Sequence, residues 1–187
     1  VVVIGASGRL NSRIIDGLPY IKLIVKHGIG LDNIDVEAAR KKGIKVISAR
    51  HSGEEIAVAE HTIGLLLAIA RLIPQGDRLV RDGRWSERAK LVGFELHGKT
   101  LGIIGLGAIG SRVAKIAKEG FNMEVVAYDP YVADNKFSEM GVKKVGLDEL
   151  LCISDFVSIH APLTKETEKL LNANNLGKIK SGAIIIN

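Results

Sequence analysis

The chain has 187 residues, of which 47% are hydrophobic, 25% charged and 4% aromatic, with a formal net charge of +5. This composition excludes a disordered tail, and the single cysteine, Cys152, excludes an internal disulfide and suits a reducing compartment. The positive excess is spread along the chain, and its longest cluster, Arg40 to Lys42, falls at an expected helix end where cations complement the helix dipole, so nucleic acid is not read as a partner.

Residues 1–4 form an apolar β-branched run with no basic flank or cleavage-like site ahead of it, so no secretory signal is read there. Apolar runs at 21–25 and 44–47 read as further strands, separated by helical patterns near 11–17 and 35–42. Asp35 is the expected N-cap of the second helix and Gly43 its stop. Three strands with two short crossovers make a small parallel α/β unit. A long helix follows from about 54 to 73, is interrupted by Pro74, and resumes toward Arg81. Its apolar residues run nearly all the way round, which calls for burial between domains or subunits. Glu60, His61 and Arg71 break that stretch short of the ~20 apolar residues a membrane span needs, so no membrane attachment and a cytoplasmic location are expected.

A second alternation begins at Lys99. Strands are expected at 101–104, 124–128, 155–159 and 183–186, a helix at 108–119, and helical turns at 147–152 and 172–178. The organisation is two α/β units with the long helix as their boundary. The chain starts and stops inside strand patterns, so a longer polypeptide cut at both ends is expected.

The sharpest chemistry lies in Gly105-Leu-Gly107-Ala-Ile-Gly110, a GxGxxG spacing immediately after a strand and at the opening of a helix. The first glycine permits the tight turn, the second lets a pyrophosphate approach the backbone, and the third lets helix and strand pack closely. The helix N-terminus offers free N–H groups and a positive dipole end to phosphates. Asp129 ends the next strand, 19 residues beyond Gly110. A carboxylate there accepts both ribose hydroxyls of NAD and repels the extra phosphate of NADP, so NAD is the expected cofactor. The plainer reading makes the glycines turn residues and Asp129 a loop cap.

Further motifs occur in one order: Gly28-Ile-Gly30-Leu-Asp-Asn33-Ile-Asp35, Val58-Ala-Glu60-His-Thr-Ile-Gly, Gly83-Arg-Trp85, Tyr128-Asp-Pro130, Leu147-Asp-Glu-Leu-Leu151, and His160-Ala-Pro-Leu-Thr164. Together with the glycine loop they resemble the D-isomer-specific 2-hydroxyacid dehydrogenase family over nearly the whole chain, most of all its branch acting on D-3-phosphoglycerate. The resemblance implies an α/β protein in which a Rossmann-type doubly wound parallel sheet, residues 51–187, follows part of a smaller flavodoxin-like α/β substrate domain, residues 1–50. It implies NAD-dependent hydride transfer between nicotinamide and a D-2-hydroxy acid, with D-3-phosphoglycerate first and glyoxylate, hydroxypyruvate or another small 2-keto acid as alternatives. It also implies a homodimer formed through the long helix. Trp85 is read either as joining that contact or as ordinary core packing.

Residue by residue, the resemblance puts backbone N–H groups of Ala108 and Ile109 on the pyrophosphate and Asp129 on the adenosine ribose. His160, Ala161 and Pro162 line the adenine side. The backbone of Gly28, Ile29 and Gly30 meets the substrate carboxylate, and Lys26 stands where phosphoglycerate-type members often carry Arg. Glu54 replaces an Asn usual in that branch, and a carboxylate there disfavours an anionic substrate. The family's catalytic Arg, Glu and His are expected beyond Asn187, so no catalytic residue is placed in this chain. Of its five histidines only His27 and His51 flank the expected cleft, and neither is assigned the proton transfer. No metal-ligand spacing is seen. The competing class is a non-catalytic NAD-binding dimerisation module on the same fold.

Overall fold

The computed structural model describes residues 1–5, 8–28, 30–49 and 53–187. They fall into two compact units: Val1–Glu54 with Pro162–Leu170, and Glu55–Ala161 with Leu171–Asn187.

In the first unit, strands β1 (Val2–Ile4), β2 (Leu23–Lys26) and β3 (Lys45–Ser48) form a parallel sheet in sequence order. Between them lie helices α1 (Ser12–Asp16) and α2 (Val36–Lys41). Each starts on a polar side chain that satisfies a free N–H of the first turn. Asn11 Oδ1 accepts from Ile14 N at 3.0 Å, and Asp35 Oδ1 from Ala38 N at 2.9 Å. Past the α2 C-cap at Lys42, Gly43 takes a left-handed conformation, φ +69°, as the sequence pattern predicts. Ile4, Ile15, Ile24, Ile34, Ala39 and Ile44 form the core. The pleat turns the paired residues Val3, Val25 and Ile47 away from it, and Val3 is 70% exposed.

The second unit opens with α3 (Glu54–Ala70), whose first residue belongs to the first unit, and continues with α4 (Ile73–Arg81). The two helices meet at a 65° bend. The break lies earlier than Pro74, the interruption that the sequence pattern predicts. Leu72 adopts a left-handed conformation, φ 53°, and Pro74 sits in the first turn of α4, where its missing N–H costs no hydrogen bond. Ala59, Ile63, Leu66 and Ala70 bury one side of α3 in the core, while Ile56, Val58 and Ile69 point outward. A 3₁₀ turn, Trp85–Lys90, follows α4, and Trp85 is 60% exposed with Arg88 over its ring. No single helix among the described residues is long and apolar enough to cross a membrane.

Five parallel strands then form the main sheet: β4 (Thr100–Ile104), β5 (Glu124–Tyr128), β6 (Lys143–Lys144), β7 (Phe156–Ile159) and β8 (Ile184–Ile186), in the order β6-β5-β4-β7-β8. Helices α5 (Ala108–Phe121), α6 (Asp134–Met140) and α7 (Leu147–Ile153) connect them. The chain winds outward from β4 to β6, then returns to lay β7 on the other flank of β4. This doubly wound order puts the topological switch point at the carboxyl ends of β4 and β7. The core between helices and sheet gathers Leu101, Ile103, Val113, Ala117, Ala127 and Phe156. Gly102 lets α7 press on β4, since a Cβ there would meet Leu150 Cδ2 at 2.6 Å and collide with Ser154 Oγ. Two elements lie outside the sequence reading. Strand β6 is two exposed lysines rather than an apolar run, and α6 is a short, mostly polar helix of about two turns. The expected helical turns at 172–178 reduce to a 3₁₀ turn at Leu176–Lys178.

Candidate nucleotide-binding site

The loop at the switch point is built by three glycines with three different surroundings. Gly105 leaves β4 with φ +94°, and a Cβ on it would stand 2.8 Å from Ala161 N and 2.9 Å from the carbonyl carbon and oxygen of His160. The loops after β4 and β7 therefore cross in contact, which only glycine allows. Gly110 brings α5 onto the strand so closely that a Cβ would strike the Gly105 carbonyl oxygen and stand 3.1 Å from Ile103 Cγ2. Around Gly107 a Cβ would meet nothing within 4 Å. Gly107 is also the N-cap of α5, has no side-chain cap hydrogen bond, and is followed by no acidic residue in the first turn. An uncapped fourteen-residue helix facing open space is a site for an anion, and a dinucleotide pyrophosphate fits that cradle.

Asp129, just past β5, is a loop cap as well as a candidate ribose acceptor. Its Oδ2 accepts from Leu106 N at 2.8 Å, and its Oδ1 from Tyr131 N at 2.9 Å and Val132 N at 3.2 Å. An ionised carboxylate offers about four acceptor sites, so these three donors leave capacity for one more, on Oδ2. The plainer and the functional readings of Asp129 are both satisfied by the same carboxylate.

His160 is fixed through its backbone, donating to the Ile104 carbonyl at 2.7 Å, and through its ring, with Nε2 2.8 Å from the hydroxyl of the fully buried Ser158. Burial pushes its imidazole down to about 4, so the ring is neutral at physiological pH. Between about pH 4 and 6.5 the unfolded chain binds this proton and the folded chain does not, so stability is full above 6.5 and falls as pH drops through the window. Proton NMR across pH 3.5–8 is expected to show the His160 signals still unprotonated at pH 5.5. A midpoint near 6.5 would remove the burial argument.

The second unit by itself thus brings together Gly105, Gly107, Ala108, Ile109, Gly110, Asp129, His160 and Ala161, whereas Pro162 begins the 162–170 stretch that groups with the first unit. Two contributors had no sequence motif. Ser158 is recognisable only once β7 places it two residues before His160. Lys136, on α6, reaches back 30 residues so that its Nζ donates to the Leu106 carbonyl at 2.9 Å.

In the first unit Lys26 is 5% exposed and its ammonium donates to the Gly5 carbonyl at 2.9 Å, which also accepts from Asn33 Nδ2 at 3.1 Å. Gly28 turns with φ +120°, and a Cβ there would lie 3.5 Å from Lys26 Cε and 3.6 and 3.8 Å from the two Glu54 carboxylate oxygens. Glu54 Oε2 is buried with no hydrogen-bond partner. A Cβ on Gly30 would stand 2.8 Å from Asp32 Oδ1. Ile29 and His51 lie outside the described residues. Among the described residues no group of three His, Cys, Asp or Glu side chains is placed to hold a metal ion.

Comparison with known proteins identifies the family. Residues 63–187 match the family described as D-isomer specific 2-hydroxyacid dehydrogenase, NAD binding domain. The whole chain is 44% identical to D-3-phosphoglycerate dehydrogenase of Archaeoglobus fulgidus, spanning 35% of that protein. It is 42% identical to hydroxypyruvate reductase of Thermotoga maritima, spanning 59% of it. In three dimensions, 99% of the chain superposes on 55% of the Aquifex aeolicus D-lactate dehydrogenase complexed with NAD and lactic acid, with a TM-score of 0.89 and 35% identity. The chain spans about a third of the phosphoglycerate relatives it matches and little more than half of the others. With an uncapped helix behind GxGxxG, an acid at the end of the next strand and a doubly wound parallel sheet, the chain belongs to the D-isomer-specific 2-hydroxyacid dehydrogenase family and carries its NAD-binding domain.

Proposed function

We propose that this chain serves an NAD-dependent oxidoreductase acting on a D-2-hydroxy acid and its 2-keto acid. The observation that carries the reading is the uncapped α5 N-terminus opening on free space at Gly107, with Asp129, at the end of the next strand, hydrogen-bonded to Leu106 N of the glycine loop. When bound, NAD supplies the hydride acceptor, and the protein's task is to orient it. First-turn N–H groups of Gly107, Ala108 and Ile109 hold the pyrophosphate. Asp129 uses its remaining acceptor site on the adenosine ribose, and its charge opposes a 2′-phosphate. His160, neutral and tethered to Ser158, lines the adenine side together with Ala161. The backbone N–H groups of Gly28 and Gly30, with the cation of Lys26, are assigned to the substrate carboxylate. The outward apolar residues of α3 and α4, with Trp85, support a homodimer formed on that face.

By overall similarity the leading substrate is D-3-phosphoglycerate. The unpartnered Glu54 carboxylate beside Gly28 favours a second reading, a keto acid that brings a hydroxyl donor rather than a phosphate, such as hydroxypyruvate. The test is NADH consumption by the full-length polypeptide with 3-phosphohydroxypyruvate, hydroxypyruvate, glyoxylate and pyruvate. One keto acid is expected to exceed the rest in kcat/KM by about tenfold or more, as a single unpaired or repelled buried group dictates. Tight NADH binding with no turnover of any of them would replace the enzyme by a non-catalytic NAD-binding module.

A further inference from the structure

The glycine loop is held by more than its glycines. Leu106, fully buried between Gly105 and Gly107, is gripped at both ends of its own backbone. Its N–H donates to Asp129 Oδ2 at 2.8 Å, and its carbonyl accepts from Lys136 Nζ at 2.9 Å and Ser111 Oγ at 3.1 Å. In a planar trans peptide the Leu106 carbonyl and the Gly107 N–H point in opposite directions on one plane. Fixing the carbonyl on Lys136 therefore fixes the direction of the Gly107 N–H, the first donor of the uncapped turn.

The cation also matters as charge. Asp134, on the same helix as Lys136, pairs with Lys144 at 2.6 Å, and Arg112 on α5 lies 3.7 Å from Glu55, whereas the Asp129 carboxylate faces the same Leu106 from its N–H side. Lys136 is half-buried, which shields its interaction with the loop from bulk screening. Its ammonium brings a unit positive charge to the peptide that precedes the α5 N-cap, where the helix dipole is positive as well.

We propose that Lys136 is a positioning residue for the cofactor's phosphates: it locks the Leu106–Gly107 peptide and adds a cation to the field at the N-terminus of α5. The proposal rests on the reading of this loop as the NAD site. It assigns to α6 a part in cofactor binding that the glycine spacing alone does not reveal.

The test is calorimetric titration of the full polypeptide with NADH and with ADP-ribose, which carries the adenosine and both phosphates without the nicotinamide. Lys136→Met keeps the apolar stem and removes the donor and the charge, and Lys136→Arg keeps both. Lys136→Met is expected to weaken ADP-ribose about five- to tenfold and to lower the thermal midpoint by about 3–8 °C, as the loss of one charged hydrogen bond implies, a cost that Lys136→Arg avoids. Lys136→Arg is expected to stay within about threefold. The dependence of log Kd on log KCl should be shallower in Lys136→Met, because one cation fewer faces the phosphates. Unchanged affinity in Lys136→Met, an arginine variant as weak as the methionine one, or identical salt slopes would overturn the proposal. An unmodified protein that binds neither NADH nor ADP-ribose would overturn the cofactor reading itself, a result distinguishable from binding that survives Lys136→Met.

Discussion

Gly110→Ala is expected to lower the thermal midpoint by about 5–10 °C and to abolish measurable NADH binding, because the added methyl overpacks a contact made by rigid backbone. The new Cβ would collide with the Gly105 carbonyl oxygen and stand 3.1 Å from Ile103 Cγ2. Relief requires moving α5 off β4, yet Val113, Ala114 and Ala117 of that helix are locked in the core. A shift at Gly110 also displaces the first turn, whose N–H groups hold the pyrophosphate in the proposed site. Gly107→Ala is the informative companion. Its Cβ meets nothing within 4 Å and its φ of −74° suits any residue, so the midpoint should stay near that of the unmodified protein. Its methyl occupies the space a phosphate needs, so NADH affinity should still fall by about tenfold or more. Scanning calorimetry and NADH fluorescence titration read both variants. A Gly110→Ala protein with normal midpoint and affinity would refute the packing argument, and a Gly107→Ala protein that binds NADH normally would move the phosphates elsewhere.

Replacing Asp129 is the second large effect, and its two duties can be separated. Asp129→Ala leaves three backbone donors without their acceptor, one of them the N–H of the buried Leu106, at a cost of roughly 1–3 kcal/mol in stability. NADH affinity is expected to fall by about a hundredfold as the ribose acceptor and the loop anchor are lost together, and the preference over NADPH to narrow. Asp129→Asn keeps one oxygen acceptor and removes the charge. It should recover part of the stability while showing the same narrowed preference, because repulsion of a 2′-phosphate depends on charge and loop capping on hydrogen bonds. Thermal midpoints and paired NADH and NADPH titrations separate the two. Unchanged titrations in Asp129→Ala would remove this carboxylate from the site.

What the sequence discloses and what it hides divides along range. Strands β4, β5, β7 and β8, the helix behind the glycines, and the Asp35 cap are local patterns, so they are legible from spacing and residue type alone. Asp129 is legible because its distance from the glycines is fixed by one helix and one strand. Lys136 and Ser158 have no such ruler. Lys136 meets Leu106 only because α6 folds back over the loop, and Ser158 matters only through the strand pleat that sets it beside His160. Lys26 shows another long-range effect: as a residue type it reads as a cation offered to substrate, and the fold also engages one of its three donors on the Gly5 carbonyl. Strand β6 escapes an apolar-run search because an edge strand needs no apolar faces, and two residues suffice to pair with Val126 and Ala127.

That edge has a consequence for how the molecule can go wrong. Strand β6 ends one side of the main sheet in two lysines, each paired with a carboxylate, Lys143 with Glu149 and Lys144 with Asp134. A foreign strand arriving there must strip hydration and ion pairs from both. Association of partly opened molecules should therefore not start from the lysine margin.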